Sequence, residues 1–137
     1  MLTITKEFQF DAAHRLWSDH LSEEQNRQTY GKCSKLHGHT YRLQVTVSGN
    51  IQDDGMILNF SELKNFVQEI LLTRYDHAYL NELEEYENLP VTAENMVTHM
   101  YAVLAEKLSP KEVLLQSVVL YETPTSWATM TREGYRA

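Results

Sequence analysis

A chain of 137 residues, 42% hydrophobic and 23% charged, has the size and make-up of one ordinary globular domain with a modest core. Its formal net charge of -7 argues against a surface built for phosphate backbones or anionic membranes, so no nucleic acid and no membrane is expected as a partner. The single cysteine, Cys33, allows no internal disulfide, and MLTITKEFQF lacks the apolar run of a signal peptide, so the expected location is cytoplasmic.

Residues 3–10 alternate β-branched or aromatic residues with polar ones and predict a first strand. Residues 17–36 are polar and read as a loop, with a helical turn around Ser22 to Gln28. Residues 39–48 predict a second strand, with Tyr41, Leu43, Val45 and Val47 on one face. A turn follows from Gly49 to Gly55. Over 60–72, Phe60, Leu63, Phe66, Val67, Ile70 and Leu71 fall at helical spacing, and Asn59 with Glu62 makes a capping box. A second helix is predicted over 93–108, with Thr92 as N-cap. Residues 113–122 read as a strand that Pro124 ends, and 126–133 as the last one.

This order predicts an α+β fold over residues 1–137 as a single domain. Its core is a four-stranded antiparallel sheet of two hairpins, with two helices on one face. Such a sheet has two edges, and open edges invite pairing with other copies.

The densest chemical constellation is Cys33-Ser-Lys-Leu-His37-Gly38-His39. On an extended backbone, His37 and His39 project from the same face and can share one metal ion. Gly38 lets another backbone or a ligand approach. His14 follows the first strand in Phe10-Asp11-Ala12-Ala13-His14-Arg15-Leu16, and an adjacent antiparallel strand could bring it beside the other two. Three imidazoles with an open fourth position make a catalytic zinc site. Cys33 could be a fourth ligand, a base or nucleophile beside the metal, or a small buried residue. Asp76 next to His77 has the form of a proton-relay pair, or of two surface polar groups. Glu122, at the end of an apolar strand, could accept two N–H bonds from an amidine-like edge, or simply be solvated. Arg27, Lys32, Lys35 and Arg42 lie near the histidine motif and form either a solvated stretch or a phosphate site.

Taken together, these segments resemble the 6-pyruvoyl-tetrahydropterin synthase and 6-carboxytetrahydropterin synthase family. The matching pieces are Phe10–Leu16, Cys33–Tyr41, Gly55–Lys64, Asp76–Asn81, Thr92–Asn95 and Tyr121–Thr123, in family order over nearly the whole chain. The resemblance implies a T-fold whose trimers close a barrel and stack as a homohexamer, with the site between subunits. It implies zinc on His14, His37 and His39, Cys33 as catalytic acid or base, Asp76 with His77 as its relay, and Glu122 as anchor of the pterin ring. The implied substrate is 7,8-dihydroneopterin triphosphate, which loses triphosphate in a lyase reaction.

Two features divide the branches. Three residues between Cys33 and His37 resemble the carboxy-forming branch of queuosine biosynthesis, and the preferred product is 6-carboxy-5,6,7,8-tetrahydropterin. The longer 17–32 segment resembles the pyruvoyl-forming branch, the alternative on the same substrate. Rivals are an aldolase or epimerase of the same fold, and a non-catalytic zinc- or pterin-binding module.

Overall fold

The alternation in the strands decides which side chains enter the core and which reach the site. In the computed structural model, residues 1–109 and 112–136 are described; Pro110, Lys111 and Ala137, part of the 1–137 domain reading, lie outside the described residues. Strand β1 (Thr3–His14) pairs antiparallel with β2 (His37–Ser48) from Thr3 opposite Ser48 to His14 opposite His37. β2 pairs with β3 (Leu114–Thr123), and β3 with β4 (Ser126–Thr131), in the order β1-β2-β3-β4, every pair antiparallel. Tyr41, Leu43, Val45 and Val47 are each 0% exposed, as their shared face requires. Phe8, Phe10, Ala12 and His14 bury the matching face of β1.

Strand ends differ from the sequence reading throughout: β2 begins at His37 instead of 39, and β3 spans Leu114–Thr123 instead of 113–122. β1 runs on to His14 instead of stopping at 10. Asp11-Ala12-Ala13 carries no β-branched residue, yet pairing with 38–40 holds it extended. The last strand stops at Thr131 instead of 133, and residues Arg132–Arg136 turn into a short helix, α5, against α4 and the last two strands.

The polar 17–36 stretch holds a real helix, α1 (Glu23–Tyr30). Ser22 Oγ accepts the Gln25 N–H at 3.1 Å and Gln25 Oε1 accepts the Ser22 N–H at 2.9 Å, a reciprocal capping box. Buried Asn26 ties the loop together, accepting the Ser18 N–H and donating to the Ser18 carbonyl. A 3-10 turn, Gly31–Ser34, then carries Cys33, and its carbonyl takes the Leu16 N–H at 2.7 Å.

Helix α2 (Phe60–Val67) continues through a π-helical turn, Gln68–Leu72, into the single-turn α3 (Thr73–Tyr75). Asn59 caps it by accepting the Ser61 N–H at 2.8 Å; among the described bonds, Glu62 does not complete the expected box. The long helix α4 (Ala93–Lys107) is capped by Thr92 and buries Met96, Val97, Met100, Tyr101 and Leu104 against β3 and β4. No helix among the described residues is long and apolar enough to cross a membrane.

After α3 the chain docks on the free edge of β1. The His77 N–H reaches the Asp11 carbonyl at 2.6 Å, the Ala13 N–H reaches the Ala78 carbonyl at 3.0 Å, and Ala13 bridges Tyr79 in parallel. His77 makes that turn at φ 64, the left-handed region that side chains avoid. One sheet edge is thus covered near His14, and Asp76-His77 is fixed there.

Candidate metal centre

His14, His37 and His39 meet at the loop end of the first hairpin. Pairing places His14 opposite His37 and Ala12 opposite His39, so the small Ala12 leaves room for three rings. Ring centroids are 4.6 Å apart for His14–His37, 5.1 Å for His14–His39 and 4.9 Å for His37–His39. One nitrogen from each ring lies within 4.8 Å of the other two. Gly38 contributes little to packing within the chain: an added Cβ would meet only the Ala12 carbonyl, at an ordinary 3.5 Å.

Two carbonyls fix which nitrogens face inward. His14 Nδ1 lies 2.8 Å from the Val91 carbonyl, and His37 Nδ1 lies 2.7 Å from the Lys35 carbonyl. A carbonyl only accepts, so each Nδ1 carries the proton and each neutral ring leaves a lone pair on Nε2. His14 is 1% exposed. Burial above all, with His37 and His39 adding to it and the Val91 bond opposing it, lowers its pKa to about 4. Burial also lowers His39, Glu122 opposing and His37 reinforcing. Both rings are therefore neutral near pH 7, the form a metal binds.

The Nε2 atoms of His14 and His39 are buried without a hydrogen-bond partner. Buried polar atoms are normally paired, so orphans aimed at a common point need a partner from outside the chain. A divalent cation with affinity for imidazole would satisfy them, and three neutral nitrogen donors suit zinc.

Glu122 borders the cluster. A Glu122 oxygen lies 3.7 Å from His39 Nε2, beyond hydrogen-bond range. Cys33 is partly buried, and its sulfur is not part of the close nitrogen group, which favours an open position over a fourth protein ligand. Tyr41 is the next residue on the same face, stacked on Phe10 at 4.9 Å and 9° and 5.5 Å from the His39 ring. Its hydroxyl is also buried and unpartnered. Burial, then the charges of Glu122 and Tyr86, push its pKa up, so the phenol keeps its proton. The alternation of 39–48 marks Tyr41 as core and gives no hint of that free hydroxyl.

Asp76 and His77 do not join the histidines within one chain. They lie at the β1 edge with Asp11, whose side chain alternation turns to the other side of the sheet from His14. Asp76 accepts the Asp11 N–H at 3.0 Å and lies 3.1 Å from His77 Nδ1. That N–H, more than any other contact, holds the Asp76 carboxyl below its usual pKa, and His77 adds to the effect. Thr40 donates to Asp11 across the strands. An open cavity of about 440 Å³, lined by Asp11, Gly38, Thr40 and His77 among others, adjoins this group. The sequence reading missed Asp11; only its place opposite Thr40 on the exposed face could have indicated it.

An antiparallel sheet backed by helices, with three imidazoles at the loop end of its first hairpin, defines a T-fold protein with a metal-binding type of cluster. The family model described as 6-pyruvoyl tetrahydropterin synthase matches residues 3–133. A 6-pyruvoyl tetrahydrobiopterin synthase of Drosophila melanogaster is 37% identical over 125 residues, 88% of this chain and 74% of that protein. A 6-carboxy-5,6,7,8-tetrahydropterin synthase of Haemophilus influenzae is 32% identical over 146 residues, 93% of this chain and 96% of that protein. The solved 6-pyruvoyl tetrahydropterin synthase of Caenorhabditis elegans superimposes with a TM-score of 0.87 at 32% identity, covering 95% of this chain and 94% of that one. The chain belongs to the 6-pyruvoyl tetrahydropterin synthase family.

Proposed function

We propose that this chain, as one domain over 1–137, is a cytoplasmic zinc-dependent lyase. It takes 7,8-dihydroneopterin triphosphate, releases triphosphate and forms 6-carboxy-5,6,7,8-tetrahydropterin, the carboxy product of queuosine biosynthesis. The observation that carries the reading is the pair of buried, unpartnered Nε2 atoms on His14 and His39, facing a third imidazole from His37.

His14, His37 and His39 would hold zinc, with the Val91 and Lys35 carbonyls fixing two of the rings. Bound zinc supplies a Lewis acid that acidifies the protons next to the substrate's side-chain oxygens. Glu122 accepts the amino and ring N–H groups of the pterin, a bidentate contact that sets the ring's direction. Cys33 moves a proton at the side chain. Asp76 orients His77 through Nδ1 and so leaves Nε2 to exchange the second proton.

Asp76 and His77 form a group separate from the histidine cluster within one chain, so each cluster would take its relay from a neighbouring copy. This supports a homohexamer of two trimers with sites between chains, and exposed Trp127 on edge strand β4 is suited to such a contact.

A second reading, the pyruvoyl product, is favoured by the capped helix at 23–30 and by the Drosophila relative. Mass spectrometry of the products from dihydroneopterin triphosphate, with and without a chelator, separates the two. The carboxy reading predicts 6-carboxytetrahydropterin with acetaldehyde, abolished by chelation. Pyruvoyl product without acetaldehyde moves the chain to the other branch, and undiminished substrate removes the enzyme reading.

A further inference from the structure

The three histidines account for two of the four orphaned atoms; Arg42 Nε points from the other face of β2, and on the site's own face the Tyr41 hydroxyl remains. A phenol that is 0% exposed and makes no hydrogen bond is costly to keep, and Phe would fill the same space without that cost. We propose that Tyr41 is a positioning residue of the site, its hydroxyl reserved for Glu122 in the loaded protein. The inference rests on the metal reading above.

The bonding capacity of each group limits the partners that the hydroxyl can take. Without a metal, Glu122 stands 3.7 Å from His39 Nε2, the nearest imidazole nitrogen it has. Once a cation uses the Nε2 lone pair, that nitrogen carries no proton and cannot donate to Glu122. A carboxylate lone pair on the inward side is then free for another donor. Tyr41 lies two residues after His39 on the same face of β2, and β3 places Tyr121 opposite Arg42, so Glu122 comes next to Tyr41 along the sheet. Stacking on Phe10 fixes the ring at 9° and leaves its hydroxyl few directions.

The competing acceptor is the Tyr86 oxygen. Tyr75 donates to Glu85 at 2.9 Å, so in the Tyr75–Tyr86 contact at 2.9 Å the proton comes from Tyr86. That leaves a lone pair on Tyr86. A bond from Tyr41 to it would be purely structural and would exist without metal. No such bond occurs among the described residues.

Tyr41→Phe separates the two. The probes are zinc alone and neopterin, the oxidised and unreactive pterin, and the readouts are thermal stability and calorimetric binding. The expected result is a metal-free variant at least as stable as the parent, with a smaller upward shift of Tm on adding zinc. Neopterin affinity of the zinc form should fall roughly tenfold, the size of one hydrogen bond to a charged group. In a Glu122→Gln background the same change should have almost no further effect, because the two residues act as a unit. A less stable metal-free variant would assign the hydroxyl to Tyr86 and overturn the proposal. So would an unchanged zinc response, or losses that add independently of Glu122. A parent protein that binds neither probe defeats the metal and pterin reading itself, an outcome visible before any variant is made.

Discussion

Two places in the molecule bring imidazole, carboxylate and phenol together beside the core, and they differ in how much bonding capacity they leave unused. Around Glu85, Arg74 donates through Nε at 2.8 Å and again through Nη2, Tyr75 donates at 2.9 Å, and Tyr86 bonds to Tyr75. His99 stands at 3.6 Å, and no buried atom of this group is orphaned. At the loop end of the first hairpin, His14, His39 and Tyr41 each keep one buried polar atom without a partner. The first arrangement is complete in the bare chain and serves to join α3 to the segment before α4. The second keeps bonding capacity that no contact among the described residues uses. Composition does not distinguish them; saturation does.

The contrast is broken most forcefully at Cys33. Cys33→Ala should lower turnover by roughly 10²–10⁴-fold, the usual weight of a general acid or base, with zinc content and neopterin affinity held within about twofold. Turnover like the parent's removes the thiol from the mechanism. Zinc lost with turnover makes it a ligand instead.

At the saturated network the effect should fall on stability alone. Glu85→Gln keeps the shape and removes the charge. It should cost about 1–3 kcal/mol in chemical denaturation with zinc affinity unchanged, the range for charged hydrogen bonds with a partner, Arg74, whose side chain is 45% exposed. Weakened zinc binding would mean the two regions are coupled. Acid should reveal the same charge. The Arg74 hydrogen bonds above all, with Tyr75 assisting, lower the Glu85 pKa from 4.5 to about 2. Between those values the unfolded chain binds more protons than the folded one, so this stability is whole above about pH 4.5 and drains away as pH falls towards 2. The parent should lose up to about 3 kcal/mol over that window relative to Glu85→Gln, less for the exposure of Arg74. Parallel pH curves for the two proteins would remove the charge from the account. The smallest effect belongs to His99→Gln, below about 0.5 kcal/mol, because a 3.6 Å approach to Glu85 is outside hydrogen-bond range.

The sequence carries the parts that depend on local period. Tyr41, Leu43, Val45 and Val47 announce a strand face, and His37 with His39 extend it, so the pair can be read before any coordinates. His14 could be named as a third ligand, but its arrival depends on β1 continuing through Asp11-Ala12-Ala13, which only pairing with β2 sustains. The carbonyls that set the tautomers come from Val91 and Lys35, and Val91 is 77 residues from His14 in the chain. The docking of Asp76–Tyr79 on the β1 edge is likewise a long-range event, and so is the position of Asp76 and His77 away from the cluster. The π turn at Gln68–Leu72 interrupts what periodicity presents as one helix. α5 is too short for its pattern to stand out from a strand end.

X-ray absorption at the zinc edge of the loaded protein counts the atoms around the ion. A three-histidine centre with one open position gives one zinc per chain, three imidazole nitrogens and one further light atom at about 2.0–2.1 Å. A sulfur neighbour near 2.3 Å, closing the site with Cys33, or a protein that takes up no zinc at all, would contradict it.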